Sequence, residues 1–160
     1  MTLKKIAFFF TLISLTSFLS AQSTKHLVFS GKIHLEEGNA KNVTIKAYDG
    51  NKCFSTYETK SSGKFFFEGK PEKQYTLEFK KDGYVTKYVI IKTHNTRKLE
   101  KNPKKYKFDI DLFQEETAED FHREEFPVVI IELDKKTKEF CYNKKYNDQF
   151  QRTEDIFAAK

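Results

Sequence analysis

Glu58–Gly69 reads ETKSSGKFFFEG: a polar run, a turn carrying Gly63, then Phe65, Phe66 and Phe67 in succession. Aromatics directly after a glycine turn suit a strand, in which successive side chains point to opposite faces. Phe65 and Phe67 are expected to enter a core, and Phe66 to point away from it. One strand further on, KKDGY (Lys80–Tyr84) repeats the punctuation with Gly83. Together the two turns set the rhythm of a small β-sandwich.

Working outward, Leu27, Phe29, Gly31, Ile33 and Leu35 alternate with Val28, Ser30, Lys32 and His34, a period-two strand pattern. After the turn-rich Glu36–Asn42, Val43, Ile45 and Ala47 face one way and Thr44, Lys46 and Tyr48 the other. Asp49-Gly50-Asn51 is a tight-hairpin signal, because such turns demand positive φ. Lys52–Thr59 alternates weakly and reads as an edge strand. Downstream, Tyr75, Leu77 and Phe79 point inward, against Thr76 and Glu78. Tyr84–Lys92 is strand-like with ambiguous faces, and His94–Lys104 is a polar, basic connection. Tyr106, Phe108, Ile110 and Leu112 alternate with Lys107, Asp109 and Asp111 and read as one strand. This gives about seven short strands at the spacing typical of a sandwich.

Composition agrees with one aromatic-rich β core. The 160 residues include 17 Phe, 8 Tyr and no Trp, enough for a single domain of ordinary size. The first 21 residues carry Lys4 and Lys5, an uncharged apolar run from Ile6 to Leu19, and the small residues Ser20 and Ala21. The run is short for a transmembrane helix, which needs about 20 apolar residues. It fits a signal peptide cleaved after Ala21, with an uncleaved anchor as the alternative. Gln22, not Cys, then begins the mature chain, so no lipoprotein and no transmembrane helix is expected. Losing Lys4 and Lys5 lowers the net charge from +6 to +4. No basic block alternates with a nucleic-acid reading motif, so nucleic acid is not an expected partner.

The remaining chain reads as an extension of residues 114–150. Glu115–Glu125 is acidic, with a helix start at Thr117 and Asp120 in capping-box-like spacing. A β-hairpin follows, formed by the apolar run Val128–Ile131, a turn at Asp134–Lys138, and Phe140 with Tyr142. The apolar run must pack on the sandwich or on a partner. The last ten residues are polar and read as a frayed tail. An oxidising compartment permits a Cys53–Cys141 disulfide, and two buried thiols are the alternative.

The strand ending near Gly31, Val43-Thr44-Ile45-Lys46-Ala47, Thr59, SSGKFFF, Tyr75-Thr76-Leu77 and KKDGY resemble the carboxypeptidase regulatory-like domain. That family is a transthyretin-like (prealbumin-like) seven-stranded β-sandwich of secreted bacterial proteins. The resemblance covers roughly Leu27–Leu112, within an expected domain of residues 22–113, and implies a non-catalytic accessory module. Such modules are often appended to peptidases or outer-membrane receptors.

Catalytic signatures are weak. His34-Leu35-Glu36-Glu37 and His122-Arg123-Glu124-Glu125 both contain His-x-x-Glu, but a catalytic zinc needs three protein ligands. Neither pair has a clear third, so no metal, cofactor or catalytic residue is expected. No Gly-x-Ser-x-Gly occurs, and neither cysteine has an identifiable His partner. Asp109 and Asp111 share a strand face with Lys107, as on a solvated surface.

The expected function is that of a non-enzymatic exported module binding or scaffolding another cell-envelope protein. Its contacts would be a sheet edge and the apolar hairpin, through Val129 and Ile131. The alternative is a small-ligand or glycan-binding module whose outward aromatics, Tyr48, Tyr57, Phe66 and Tyr88, share a face; the competing expectation is that the appended hairpin covers them as a second small core. The expected location is the periplasm or envelope of a Gram-negative-type bacterium, or outside the cell.

Overall fold

The computed structural model describes residues 26–96, 105–115 and 127–148. The signal peptide, the Glu116–Glu125 part of the expected helix and the tail 151–160 lie outside the described residues. Ten strands run in chain order: β1 (Leu27–Leu35), β2 (Thr44–Asp49), β3 (Lys52–Glu58), β4 (Lys64–Gly69), β5 (Gln74–Lys80), β6 (Lys87–Lys92), β7 (Lys105–Lys107), β8 (Ile110–Leu112), β9 (Pro127–Leu133) and β10 (Phe140–Tyr142). They form two sheets. One is β4-β1-β7 with β8 also paired to β1; the other is six-stranded, in the order β10-β9-β6-β5-β2-β3.

The alternation of the sequence sets the core. Leu27, Phe29 and Ile33 of β1, Phe65 and Phe67 of β4, Tyr75, Leu77 and Phe79 of β5, and Val89 and Ile91 of β6 are all buried in one cluster. Rings from the two sheets meet edge-to-face: Phe65 with Phe79 at 5.2 Å, Phe67 with Tyr75 at 5.0 Å, and Phe29 with Phe140 at 5.0 Å between centroids. This is the arrangement the ring quadrupole favours.

Gly63 makes the turn into β4 at φ +65°, and a Cβ there would stand 2.5 Å from the Ile33 carbonyl. Position 63 therefore requires glycine for two reasons, its φ and the close approach of β1. Polar pegs tie the loops down. The buried Thr59 hydroxyl donates to the Ala40 carbonyl and accepts the Val43 N–H at 3.1 Å. Thr93, also buried, accepts the Lys73 N–H at 2.8 Å.

Two expectations are corrected. Tyr106–Leu112 is not one strand but two, both parallel to β1 and in the same register, with Val28 opposite Lys105 and Ile33 opposite Ile110. The break has an identifiable cause. A Cβ at position 31 would collide with the Phe108 carbonyl and meet the Phe65 ring, so Gly31 leaves room for the chain to bend inward. Phe108 N–H still reaches the Ser30 carbonyl at 3.0 Å. The next rung is completed by a side chain, with Asp109 Oδ1 accepting the Lys32 N–H at 2.9 Å.

The second correction concerns the C-terminal hairpin, which is no appendage. β9 pairs in parallel with β6 (Val89 opposite Val129, Ile91 opposite Ile131), and β10 pairs with β9 as the sheet edge. The burial of β9 does alternate, with Val129 and Ile131 buried and Ile130 half-exposed, so the unbroken apolar run Val128–Ile131 reflects apolar residues on both faces of the strand. Asp134 Oδ1 holds the hairpin turn by accepting the Lys136 and Thr137 N–H groups at 2.8 and 2.7 Å. A one-turn helix, 144–148, follows β10 and was not foreseen. Its first turn is capped by Asn143, whose Oδ1 accepts the Tyr146 N–H at 2.9 Å.

Candidate interaction surfaces

The outer face of the six-stranded sheet carries two of the four aromatics expected to share a surface, Tyr48 and Tyr88. Pairing places Lys46 opposite Glu78 and Glu78 opposite Tyr88, with Tyr48 one pleat away opposite Thr76. Glu78 points outward as expected, yet is only 9% exposed because these neighbours close over it. Its two oxygens are committed: the Tyr48 hydroxyl donates to Oε2 at 2.7 Å, and Lys46 Nζ lies 3.5 Å from Oε1. The bond to Glu78 pushes the Tyr48 pKa up to about 12, because ionising the phenol would lose that donor beside a carboxylate. The result is a half-buried aromatic strip, Tyr48 and Tyr88, over a satisfied polar centre.

Tyr57 and Phe66 do not join that strip. Tyr57 packs against the core, and its hydroxyl crosses to the other sheet, donating to the Phe66 carbonyl at 2.9 Å. Phe66 stands on the opposite outer face of the molecule, 65% exposed, and the hairpin does not cover it. Across the small sheet its row is Phe66, Ser30, Lys107; the row beside it is Glu68, Val28, Lys105, and on the other side Lys64 lies opposite Lys32.

At the far end of this face, His34 Nε2 lies 3.3 Å from Asp109 Oδ2, and Asp111 is opposite His34 on β8. The His34 ring thus turns to Asp109 rather than to Glu37 of its own His-x-x-Glu. The Lys32 N–H, then His34, hold the Asp109 carboxyl below its usual range. Among the described residues no three His, Cys, Asp or Glu side chains are grouped to hold a metal. His122 lies outside them.

β3 ends the six-stranded sheet and is exposed along nearly its whole length. A bulge shifts its pairing with β2 between Ala47 and Tyr48, so Phe54 stands out of register. Phe54 is half-exposed and leans on Phe67 and Tyr75. Beyond the bulge, Thr59 N–H donates to the Val43 carbonyl at 3.0 Å. By the alternation of an antiparallel ladder, the backbone groups of Thr56 and Glu58 then face outward.

Two site expectations change. Val129 is 8% exposed and Ile131 0%, so the sandwich itself takes up both side chains and neither is presented to a partner. Cys53 and Cys141 are free thiols on β3 and β10, the opposite edges of one sheet. Five strand spacings of about 4.8 Å separate them by roughly 24 Å, far beyond the reach of about 7 Å that a disulfide allows. Burial of Glu78 and the rung made by Asp109 were not foreseen. Gly31 in an otherwise apolar inward row was the one available signal for the second.

No protein-family model matches the chain, and no curated protein matches it. Solved structures similar to it include the TIE protein of Bacillus anthracis (TM-score 0.43, 15% identity, 56% of this chain and 17% of that one). Another is the minor pilin of the Gram-positive pathogen Streptococcus agalactiae (TM-score 0.38, 14% identity, 57% of this chain and 45% of that one). A third is a DUF3823 family protein from Parabacteroides merdae (TM-score 0.34, 13% identity, 68% of this chain and 49% of that one). The chain spans less than half the length of each.

Proposed function

We propose that the chain is an exported, non-enzymatic β-sandwich module that binds or scaffolds another cell-envelope protein, in the manner its resemblance to carboxypeptidase regulatory-like domains implies. The observation that carries this reading is β3, an exposed edge strand at the end of a six-stranded sheet. An added strand needs only such backbone groups and no special side chains. Export to the periplasm or envelope is supported by the basic start, apolar run and small residues of Met1–Ala21.

The test is capture from envelope extract by the wild-type chain and by Thr56→Pro, which removes an outward N–H without touching the β2 ladder. A defined partner should be held by the first and lost by the second. Equal capture by a well-folded Thr56→Pro chain sinks the edge reading.

One observation favours a second reading, a glycan or small-ligand module: the register brings Tyr48 and Tyr88 to either side of Glu78. A glycan array should then give hits that vanish in Tyr88→Ala. Hits unaffected by that change would remove this reading.

A further inference from the structure

The Phe66 half of the small sheet's outer face breaks two local rules together. A large aromatic ring stands 65% exposed in the middle of a strand. Beside it, Lys64 and Lys32 are directly opposed across β4 and β1, and like charges so placed are destabilising. With Lys105 and Lys107 on the next strand, four exposed lysines surround Phe66, Ser30 and Val28. Two carboxylates border that half: Glu68, which faces His26 at 3.8 Å, and Asp109, which accepts the Lys32 N–H. Asp109 turns its other oxygen to His34, and Asp111 lies opposite His34, beyond the lysines. Among the described residues none of the four ammonium groups has an ion-pair partner.

We propose that this half-face docks the chain on an anionic phospholipid surface, with Phe66 entering the headgroup region and Lys32, Lys64, Lys105 and Lys107 facing lipid phosphates. The lysines do not converge on a pocket. They are spread over a flat sheet at strand and pleat spacings of about 5–7 Å, which suits a plane of phosphates better than one compact anion. Ser30 and Val28 are small enough to let a planar surface approach. A single-stranded nucleic acid fits less well, since sheet faces that read it stack two or three bases on several aromatics, and here there is one. Asp109 beside Lys32 offsets part of the opposed Lys32–Lys64 charge, and such a surface relieves the rest. The docking face and the β3 edge are different surfaces, one formed by side chains of the small sheet and the other by backbone groups of the large one.

The test is vesicle sedimentation with the chain beginning at Gln22, so that the Ile6–Leu19 run cannot itself enter the bilayer. Vesicles are equal parts phosphatidylglycerol and phosphatidylcholine, against phosphatidylcholine alone. The chain should partition onto the anionic vesicles and be released by high salt. Each lysine near the surface is worth about fivefold. Lys64→Gln with Lys107→Gln should therefore weaken partitioning about 25-fold, and Phe66→Ser about tenfold. A charge-matched control, Lys52→Gln with Lys80→Gln, should change it less than about twofold. The proposal is overturned by no preference for anionic vesicles, by equal loss in the control, or by an unchanged Phe66→Ser variant. Binding of an acidic peptide or an oligonucleotide through the same residues, without vesicle binding, also overturns it.

Discussion

Replacing Ile131 by alanine asks whether the C-terminal hairpin is part of the core. Ile131 is fully buried and sits opposite Ile91 in the parallel pairing of β9 with β6. The change removes about three carbons, worth roughly 0.8 kcal/mol each, or about 2.4 kcal/mol of transfer free energy. A residual cavity of some 40 Å³ adds about 1 kcal/mol at roughly 24 cal/mol per Å³. The expected loss is therefore about 3 kcal/mol, inside the range of about 2–5 kcal/mol typical of such truncations. Urea titration should show a lower midpoint with an unchanged slope, and the melting temperature should fall by roughly 10 °C. Ile130→Ala, one pleat away on the half-exposed outer face, should cost about 1 kcal/mol or less. A loss below about 1 kcal/mol at position 131, or one equal to that at position 130, would refute the integral placement of β9.

Four further outcomes follow from the geometry. Gly31→Ala should cost about 3 kcal/mol or more, since the new methyl meets the Phe108 backbone; a change under about 1 kcal/mol would mean that the β7–β8 break does not depend on Gly31. Thr59→Val keeps the shape but strips the Ala40 carbonyl and the Val43 N–H of their shared hydroxyl, for about 2 kcal/mol and faster amide exchange at Val43. Asp109 has a depressed pKa in the fold. Its contribution is therefore present above the ordinary carboxylate value of about 3.9 and lost as pH falls through the lower folded value. Asp109→Asn should flatten the stability curve below about pH 4, and superimposable acid limbs would count against the Asp109 rung. Thiol labelling of the unfolded, unreduced chain should find both cysteines reactive within one molecule; an intramolecular Cys53–Cys141 bridge would contradict the strand order.

The sequence made the strands readable where one face is buried and the other wet. The inward rows of β1, β4 and β5 follow from period two alone, and so does the outward direction of Phe66. What the alternation does not carry is pairing. Val128–Ile131 is recognisable as an element that must be buried, but nothing local says that β6, some 40 residues earlier, receives it. Glu78 reads as an outward polar residue; only the register that sets Lys46, Tyr48 and Tyr88 around it makes it buried. Distance also hides the β7–β8 break, whose cause, Gly31, lies on another strand. The cysteines are separated by strand order, which spacing along the chain does not reveal.

The parallel junction of β6 with β9 also has a temporal side. Thirty-four residues lie between the end of β6 at Lys92 and the start of β9 at Pro127. A chain delivered N-terminus first completes β1–β6 while β6 still has an open flank. The second row of its ladder, and the apolar cover for Val89 and Ile91, arrive only with the last quarter of the polypeptide. Until then the sheet presents an unpaired aliphatic border, the kind of template on which chains associate with each other. Truncation or delay before β9 therefore threatens solubility as well as local order.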